Sequence, residues 1–327
     1  MPQYDLPLPE LERYRPERHE PADFDAFWSR TLAETAAHPL AAVFTEVDAG
    51  FTELVTEDVV FAGFGGHPIR GWMLRPRHAE GPLPAVVTYI GYGGGRGHLA
   101  EWTALPSAGF AHFVMDLRGQ GAGHRRADTV DPGVGGPHFG GFLTLGIESP
   151  EGYYYRRVFA DAVRAVEAVQ GHPAVDPARV VISGGSQGGA IALAAAALTP
   201  GAVPVTPVGV IVDVPFLSDV RRAVRLVDTA PYSELVSWLG VQIDPERQER
   251  AFSTIDYFDG VNLAARGTMP ASFAVALLDD ICPPSTVYGA YNSYAGEKTM
   301  TVYPFNGHAN GGAARIAEHI AFARSLT

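Results

Sequence analysis

Cysteine is nearly absent. Cys282 is the only one in 327 residues. A lone thiol closes no internal disulfide, so nothing in the chain requires an oxidising compartment. Positive charge is also scarce: Lys and Arg number 24 against 36 Asp and Glu, a formal net charge of −12. Such a surface repels phosphate backbones and anionic lipid, so neither a nucleic-acid partner nor electrostatic membrane docking is expected. No long apolar run occurs. The longest uncharged stretch, Val180 to Val212, is broken by glycines and by Pro200, Pro204 and Pro207. Its helical part, Ala190–Leu198, is too short to span a bilayer. The opening residues carry neither a basic start nor an apolar segment, so no secretory leader is expected and the chain reads as cytoplasmic. His-Glu-x-x-His and paired ligand spacings are missing, so no metal is expected. Without repeats, low-complexity tracts or a linker, residues 1–327 read as one domain.

Apolar residues are plentiful at 46%, enough for a sizeable core. Residues 1–20 read as an extended arm rich in Pro, Glu and Arg. An amphipathic helix is expected from Pro21, with Phe24, Phe27, Trp28 and Leu32 on one face. Residues 55–76 alternate as early antiparallel strands do. Short apolar runs then recur at Ala85–Ile90, Phe110–Met115, Val180–Ile182, Val208–Val212, Phe273–Leu278 and Thr299–Tyr303, separated by turns and helical patterns. Such runs suit strands buried on both faces, which predicts an α/β fold with a mostly parallel sheet wrapped by helices. The pattern over Arg156–Gln170 is helical. Two segments break the alternation: a glycine-rich excursion at 119–152, and helix-like patterns at 214–270 that read as an insertion or cap.

The strongest motif is Gly184-Gly185-Ser186-Gln187-Gly188, between the strand ending at Ile182 and an Ala-rich helix from Ala190. Gly-x-Ser-x-Gly in that context is a nucleophile elbow, a tight turn that exposes the serine hydroxyl at the strand end. With 37 glycines, chance matches occur, but the strand–turn–helix context is specific. A phosphate loop would need wider glycine spacing and a Gly-Lys-Ser/Thr ending.

A serine needs a base, usually a histidine oriented by a carboxylate, and in this fold the chain order is Ser, Asp or Glu, His. Only His308 and His319 follow Ser186. His319 falls in the expected C-terminal helix Ala313–Ser325, whereas His308 lies in the loop after the last strand, so His308 is the expected base. Asp279, the first residue past the strand Phe273–Leu278, is the preferred acid. Asp280 is adjacent, so one of the pair is expected to be simply exposed, and Asp213, one strand earlier, is the fallback. The oxyanion donors expected are the N–H of Gln187 and that of Tyr92, in the loop Gly91–Gly97.

These residues resemble the acetylxylan esterase/cephalosporin C deacetylase family (carbohydrate esterase family 7). Arg118-Gly119-Gln120, the elbow, and Asp279-Asp280-Ile281-Cys282-Pro283-Pro284 carry the likeness, with Tyr153-Tyr154-Tyr155-Arg156 and Phe258-Asp259-Gly260-Val261-Asn262 extending it along the chain. The resemblance implies an α/β-hydrolase fold. It implies an intracellular Ser-Asp-His esterase on Ser186, Asp279 and His308, with Tyr92 and Gln187 at the oxyanion. Expected substrates are acetylated xylo-oligosaccharides and cephalosporin-type antibiotics, with no cofactor. A doughnut-like hexamer is implied, with 119–152 at an interface. One departure is Ala309, where the family carries Glu after the histidine, which leaves the support of that loop in doubt.

Other residues read more plainly. Arg118 and Gln120 are expected to brace loops, Cys282 to be a buried inert thiol, and Trp102, Tyr153 and Tyr154 to pack in the core or at an interface. The competing functions are a broader carboxylesterase, a prolyl-oligopeptidase-like peptidase, which usually needs a β-propeller not present here, and a non-catalytic scaffold.

Overall fold

The computed structural model describes residues 4–327; the first three residues of the expected arm lie outside the described residues. Nine strands form one sheet: β1 (Val43–Glu46), β2 (Leu54–Ala62), β3 (Pro68–Pro76), β4 (Leu83–Tyr89), β5 (Ala111–Met115), β6 (Val175–Gly185), β7 (Gly209–Asp213), β8 (Ala271–Ala276) and β9 (Lys298–Tyr303). Their order is β1-β2-β3-β5-β4-β6-β7-β8-β9. β1, β2 and β3 pair antiparallel, β3 joins β5 antiparallel, and the pairs from β5 to β9 are parallel. This is the expected α/β-hydrolase fold. Because β5 inserts between β3 and β4, the strand order reverses beside β4, and such switch points open a crevice at the strand ends.

The six apolar runs all became strands; β5, β7 and β8 are buried along their whole length, whereas β9 lies at the sheet edge and is only partly buried. β6 is longer than its run Val180–Ile182: Asp176–Arg179 before it is partly exposed, and Ser183 and Gly184 after it are buried but carry no apolar side chain. β1 was not expected: mostly exposed, it has no apolar alternation to read. The helix expected from Pro21 starts at Phe24, and buries Phe24, Phe27 and Trp28. In the arm, Leu8–Leu11 makes one helical turn instead of staying extended, with Leu11 buried.

The helix Gln187–Leu198 begins three residues before the expected Ala190. It is apolar on every side and lies between β6, β7 and the helix Tyr154–Gln170, so it is core rather than surface. Segment 119–152 is turns and loop. Segment 214–270 holds four helices, Val220–Leu226, Tyr232–Val241, Pro245–Ile255 and Gly260–Ala264. Among the described residues, no helix is long and apolar enough to cross a membrane.

Candidate active site

Ser186 stands alone between β6 and the helix Gln187–Leu198, with φ 58° and ψ −124°. A side-chain-bearing residue rarely adopts a positive φ, so the surroundings must hold it there. They do so on both sides of the residue. The Ser186 N–H donates to the Asp213 carbonyl at 2.9 Å, and its own carbonyl accepts from Phe216 at 3.0 Å and Ala190 at 3.1 Å. The flanking glycines are required by close approach. A Cβ on Gly184 would lie 2.0 Å from the Gly188 carbonyl oxygen, and one on Gly188 would lie 2.2 Å from that of Tyr89.

Asp279 is fully buried, three residues beyond β8 rather than directly at its end. The strand ladder stops early because the Leu277 and Leu278 amides turn to the carbonyls of Tyr303 and Asn306. Asp279 Oδ1 accepts the N–H groups of Ile281 and Cys282, each at 2.9 Å. Its Oδ2 lies 2.8 Å from Nδ1 of His308. The alternatives are engaged elsewhere. Asp280 is half-buried, and its carbonyl takes the Thr229 hydroxyl at 2.8 Å. Asp213 binds Arg315 Nε at 2.9 Å and His319 Nε2 at 2.7 Å. The second downstream histidine therefore has its own acid, and the two His–Asp pairs are separate.

Ser186 and His308 both face a cavity of about 740 Å³, whose walls include Tyr92, Trp102, His124, Arg125, Phe139 and Ile281. That volume is typical of small-molecule sites. A smaller crevice of about 230 Å³ also reaches Ser186 and His308, and is bordered by Asp213, Ala309, Arg315 and His319. A larger hollow, about 930 Å³, lies near the starts of β2 and β4 and contains none of these residues, so chemistry rather than size selects the 740 Å³ cavity.

Tyr92 and Gln187 are held by their side chains. The Tyr92 hydroxyl donates to Glu234 Oε2 at 2.6 Å and accepts the Phe142 N–H at 2.9 Å. Burial and the Glu234 carboxylate push this phenol well above its ordinary pKa, so it stays a donor. Gln187 Oε1 accepts from Tyr155 at 2.8 Å and from Gln120 at 2.9 Å, while its amide reaches the Ile90 carbonyl at 3.3 Å. Among the described residues, neither main-chain N–H is taken by a carbonyl, which leaves both amides available to a ligand oxygen.

Gln120 also receives the Gly93 N–H at 2.7 Å and so ties the Gly91–Gly97 loop to the elbow. Arg118 is buried between Asp161, at 2.7 Å, and Asp131, at 3.1 Å. Tyr153 and Tyr154 are fully buried, whereas Trp102 lines the cavity. Burial pushes the Cys282 thiol well above its usual pKa, and the Asp279 carboxylate adds to the effect. Sequence reasoning missed Glu234. It carries no motif and reads as an ordinary acidic residue in the first turn of the helix Tyr232–Val241.

The acetyl xylan esterase (AXE1) family model matches residues 1–326. A solved acetyl xylan esterase from Paenibacillus sp. R4 superposes with a TM-score of 0.88 at 36% identity, covering 98% of this chain and 100% of that one. Acetyl xylan esterase 1 from Thermoanaerobacterium sp. JW/SL YS485 gives 0.88 at 31% identity, covering 99% of both chains. Acetyl esterase Axe7A of Xylanibacter ruminicola is 29% identical over 301 residues, which is 91% of this chain and 65% of that longer protein. The acylaminoacyl peptidase of Pyrococcus horikoshii, at 15% identity and a TM-score of 0.60, covers 84% of this chain and 42% of its own, and shares the fold. With the family match running the length of the sequence, the chain belongs to the acetyl xylan esterase family.

Proposed function

We propose that this chain hydrolyses acetyl esters of xylo-oligosaccharides, and of related small molecules such as cephalosporin C, by an acyl-enzyme mechanism. Ser186 Oγ attacks the acetyl carbonyl while His308 takes its proton. Asp279 fixes the ring through Nδ1 and stabilises the imidazolium. The N–H groups of Tyr92 and Gln187 hold the oxyanion. The protonated alcohol leaves, and water then releases acetate by the same route. The observation that carries this reading is the 2.8 Å His308–Asp279 pair beside a strained Ser186 on one cavity wall. Acetate release from acetylated xylose and cephalosporin C by wild type and Ser186→Ala tests it. Equal rates would remove Ser186 from the mechanism.

A broader carboxylesterase is the second reading, favoured by a cavity of about 740 Å³, far more than an acetyl group needs. Comparable kcat/KM for p-nitrophenyl acetate and butyrate would select it. We propose further that the chain works as one domain, as a hexamer and in the cytoplasm. Size-exclusion chromatography addresses the assembly, and a monomer would end that proposal.

A further inference from the structure

The loop that carries Asp279 runs into the helix Pro284–Ser293, whose N-cap is Pro283. Proline has no side-chain oxygen for the free amides of a first helical turn. The acceptor comes from 280 residues away: Asp5 Oδ2 takes the Ser285 N–H at 2.7 Å. A carboxylate there also meets the positive end of the helix. Asp5 Oδ1 accepts from Leu6 N at 2.8 Å and Arg222 Nη2 at 3.0 Å. Arg222 Nε in turn donates to Ser285 Oγ at 2.6 Å. The Asp5 side chain is only 2% exposed, so this is a built, buried contact. One residue earlier, the Tyr4 hydroxyl donates to the main-chain carbonyl of Asp279 itself. Farther along, Asn292 Nδ2 holds the Leu11 and Tyr14 carbonyls at 3.0 and 2.8 Å, keeping the arm on the same helix.

We infer that Tyr4 and Asp5 are positioning residues for the reaction, because they clamp the loop that aims Asp279 at His308. The inference rests on the Ser186–His308–Asp279 reading proposed above. The Asp279 carboxylate is oriented by the Ile281 and Cys282 amides, and these move with the loop. Tyr4 grips the loop at the acid, and Asp5 grips it at the first turn of the helix. A loop released at either end lets Oδ2 drift from Nδ1, and the base loses its fixed orientation while the cavity walls stay in place.

The test measures kcat and KM for p-nitrophenyl acetate in Asp5→Ala, Asp5→Asn and Tyr4→Phe, normalised to titrated active sites. The same changes are then placed in an Asp279→Asn background. Asp5→Ala is expected to lower kcat about tenfold, short of the ~100-fold cost of a 1 Å misplacement, with KM within about twofold. Asp5→Asn, which keeps an acceptor, is expected to recover part of the loss. In the Asp279→Asn background Asp5→Ala should lower kcat no further, because an effect acting through the acid vanishes once the acid is gone. Unchanged kcat, a rise in KM alone, or an undiminished loss in the Asp279→Asn background would overturn the inference. If Asp5→Ala does not fold, Tyr4→Phe removes one hydroxyl and carries the same comparison at about threefold, the scale of one hydrogen bond. A fully active Asp279→Asn enzyme would instead strike down the triad reading, which separates the two failures.

Discussion

Replacing Asp279 with asparagine asks whether its two oxygens do different things. Oδ1 is held by two main-chain donors and Oδ2 faces His308 Nδ1. Asparagine has one accepting end and one donating end, so it must choose. With its carbonyl on the two amides, its NH₂ group meets Nδ1, which must then accept. The ring proton moves to Nε2, the nitrogen that has to take the serine proton, and the base is blocked. In the reverse orientation the ring keeps the useful tautomer, but two buried N–H groups face an NH₂ group and lose their acceptor. Each such loss costs about 1–3 kcal/mol, about 2–6 kcal/mol for the pair. At 1.4 kcal/mol per factor of ten, the blocked arrangement is favoured by about 30-fold to about 20,000-fold.

The kcat of Asp279→Asn on p-nitrophenyl acetate should therefore fall by at least about 30-fold. Loss of the negative charge that supports the imidazolium adds to this. The side chain is nearly isosteric, so thermal unfolding should change little. A folded variant that loses less than about tenfold in kcat would refute the reasoning, because the two amides would then not be dictating the orientation.

Three further outcomes follow from the same contacts. Gly188→Ala sets a Cβ 2.2 Å from the Tyr89 carbonyl oxygen, a main-chain atom that cannot step aside. Activity should fall with the melting temperature, and a variant matching wild type in both would contradict the tight elbow. Arg315→Met leaves the Asp213 carboxylate buried with His319 as its remaining side-chain partner. Urea unfolding should report a loss of about 3–5 kcal/mol, as expected when one side of a buried ion pair is removed. His112 is fully buried, and burial lowers its pKa to about 4, with the Trp102 carbonyl opposing in part. The unfolded chain binds that proton near pH 6.5 and the folded chain does not. Stability should thus drop as pH falls from about 6.5 to about 4, by up to about 3 kcal/mol from this residue. Urea unfolding of His112→Leu at pH 7 and pH 5 should show a smaller difference than wild type; an equal difference would clear His112.

The inner strands of the parallel half were legible because doubly buried strands write themselves as continuous apolar runs. β1 wrote nothing, being mostly exposed. The elbow was legible because Gly184 and Gly188 answer a local steric demand that fixes residue types at fixed spacing. Chain order placed His308 and Asp279, and the structure brings them within 2.8 Å. What stayed hidden depends on long-range contact without a motif. Glu234 meets Tyr92 across 142 residues, and Asp5 meets Ser285 across 280. No spacing rule reaches that far, because each contact exists only after the sheet has brought its two elements together.

Ala309 raised the question of what supports the His308 loop. It is exposed and borders the 230 Å³ crevice, where a longer acidic side chain would approach Arg315 and His319. Both side chains already have partners. Arg315 donates to Asp213, Glu318, Thr301 and Ser272, and His319 is paired with Asp213. The same Asp213 accepts the Ser186 N–H through its carbonyl. The C-terminal helix Ala313–Leu326, which starts five residues after His308, is therefore anchored to the strand end that pins Ser186. Between them, Asn310, Gly311 and Gly312 take positive φ values that turn the chain tightly from the loop into the helix. Asp213, across the crevice, ties that helix to the strand end, and the Ala309 methyl takes no part in these contacts. The His308 loop thus runs into a helix anchored by Arg315 and Asp213 rather than by residue 309.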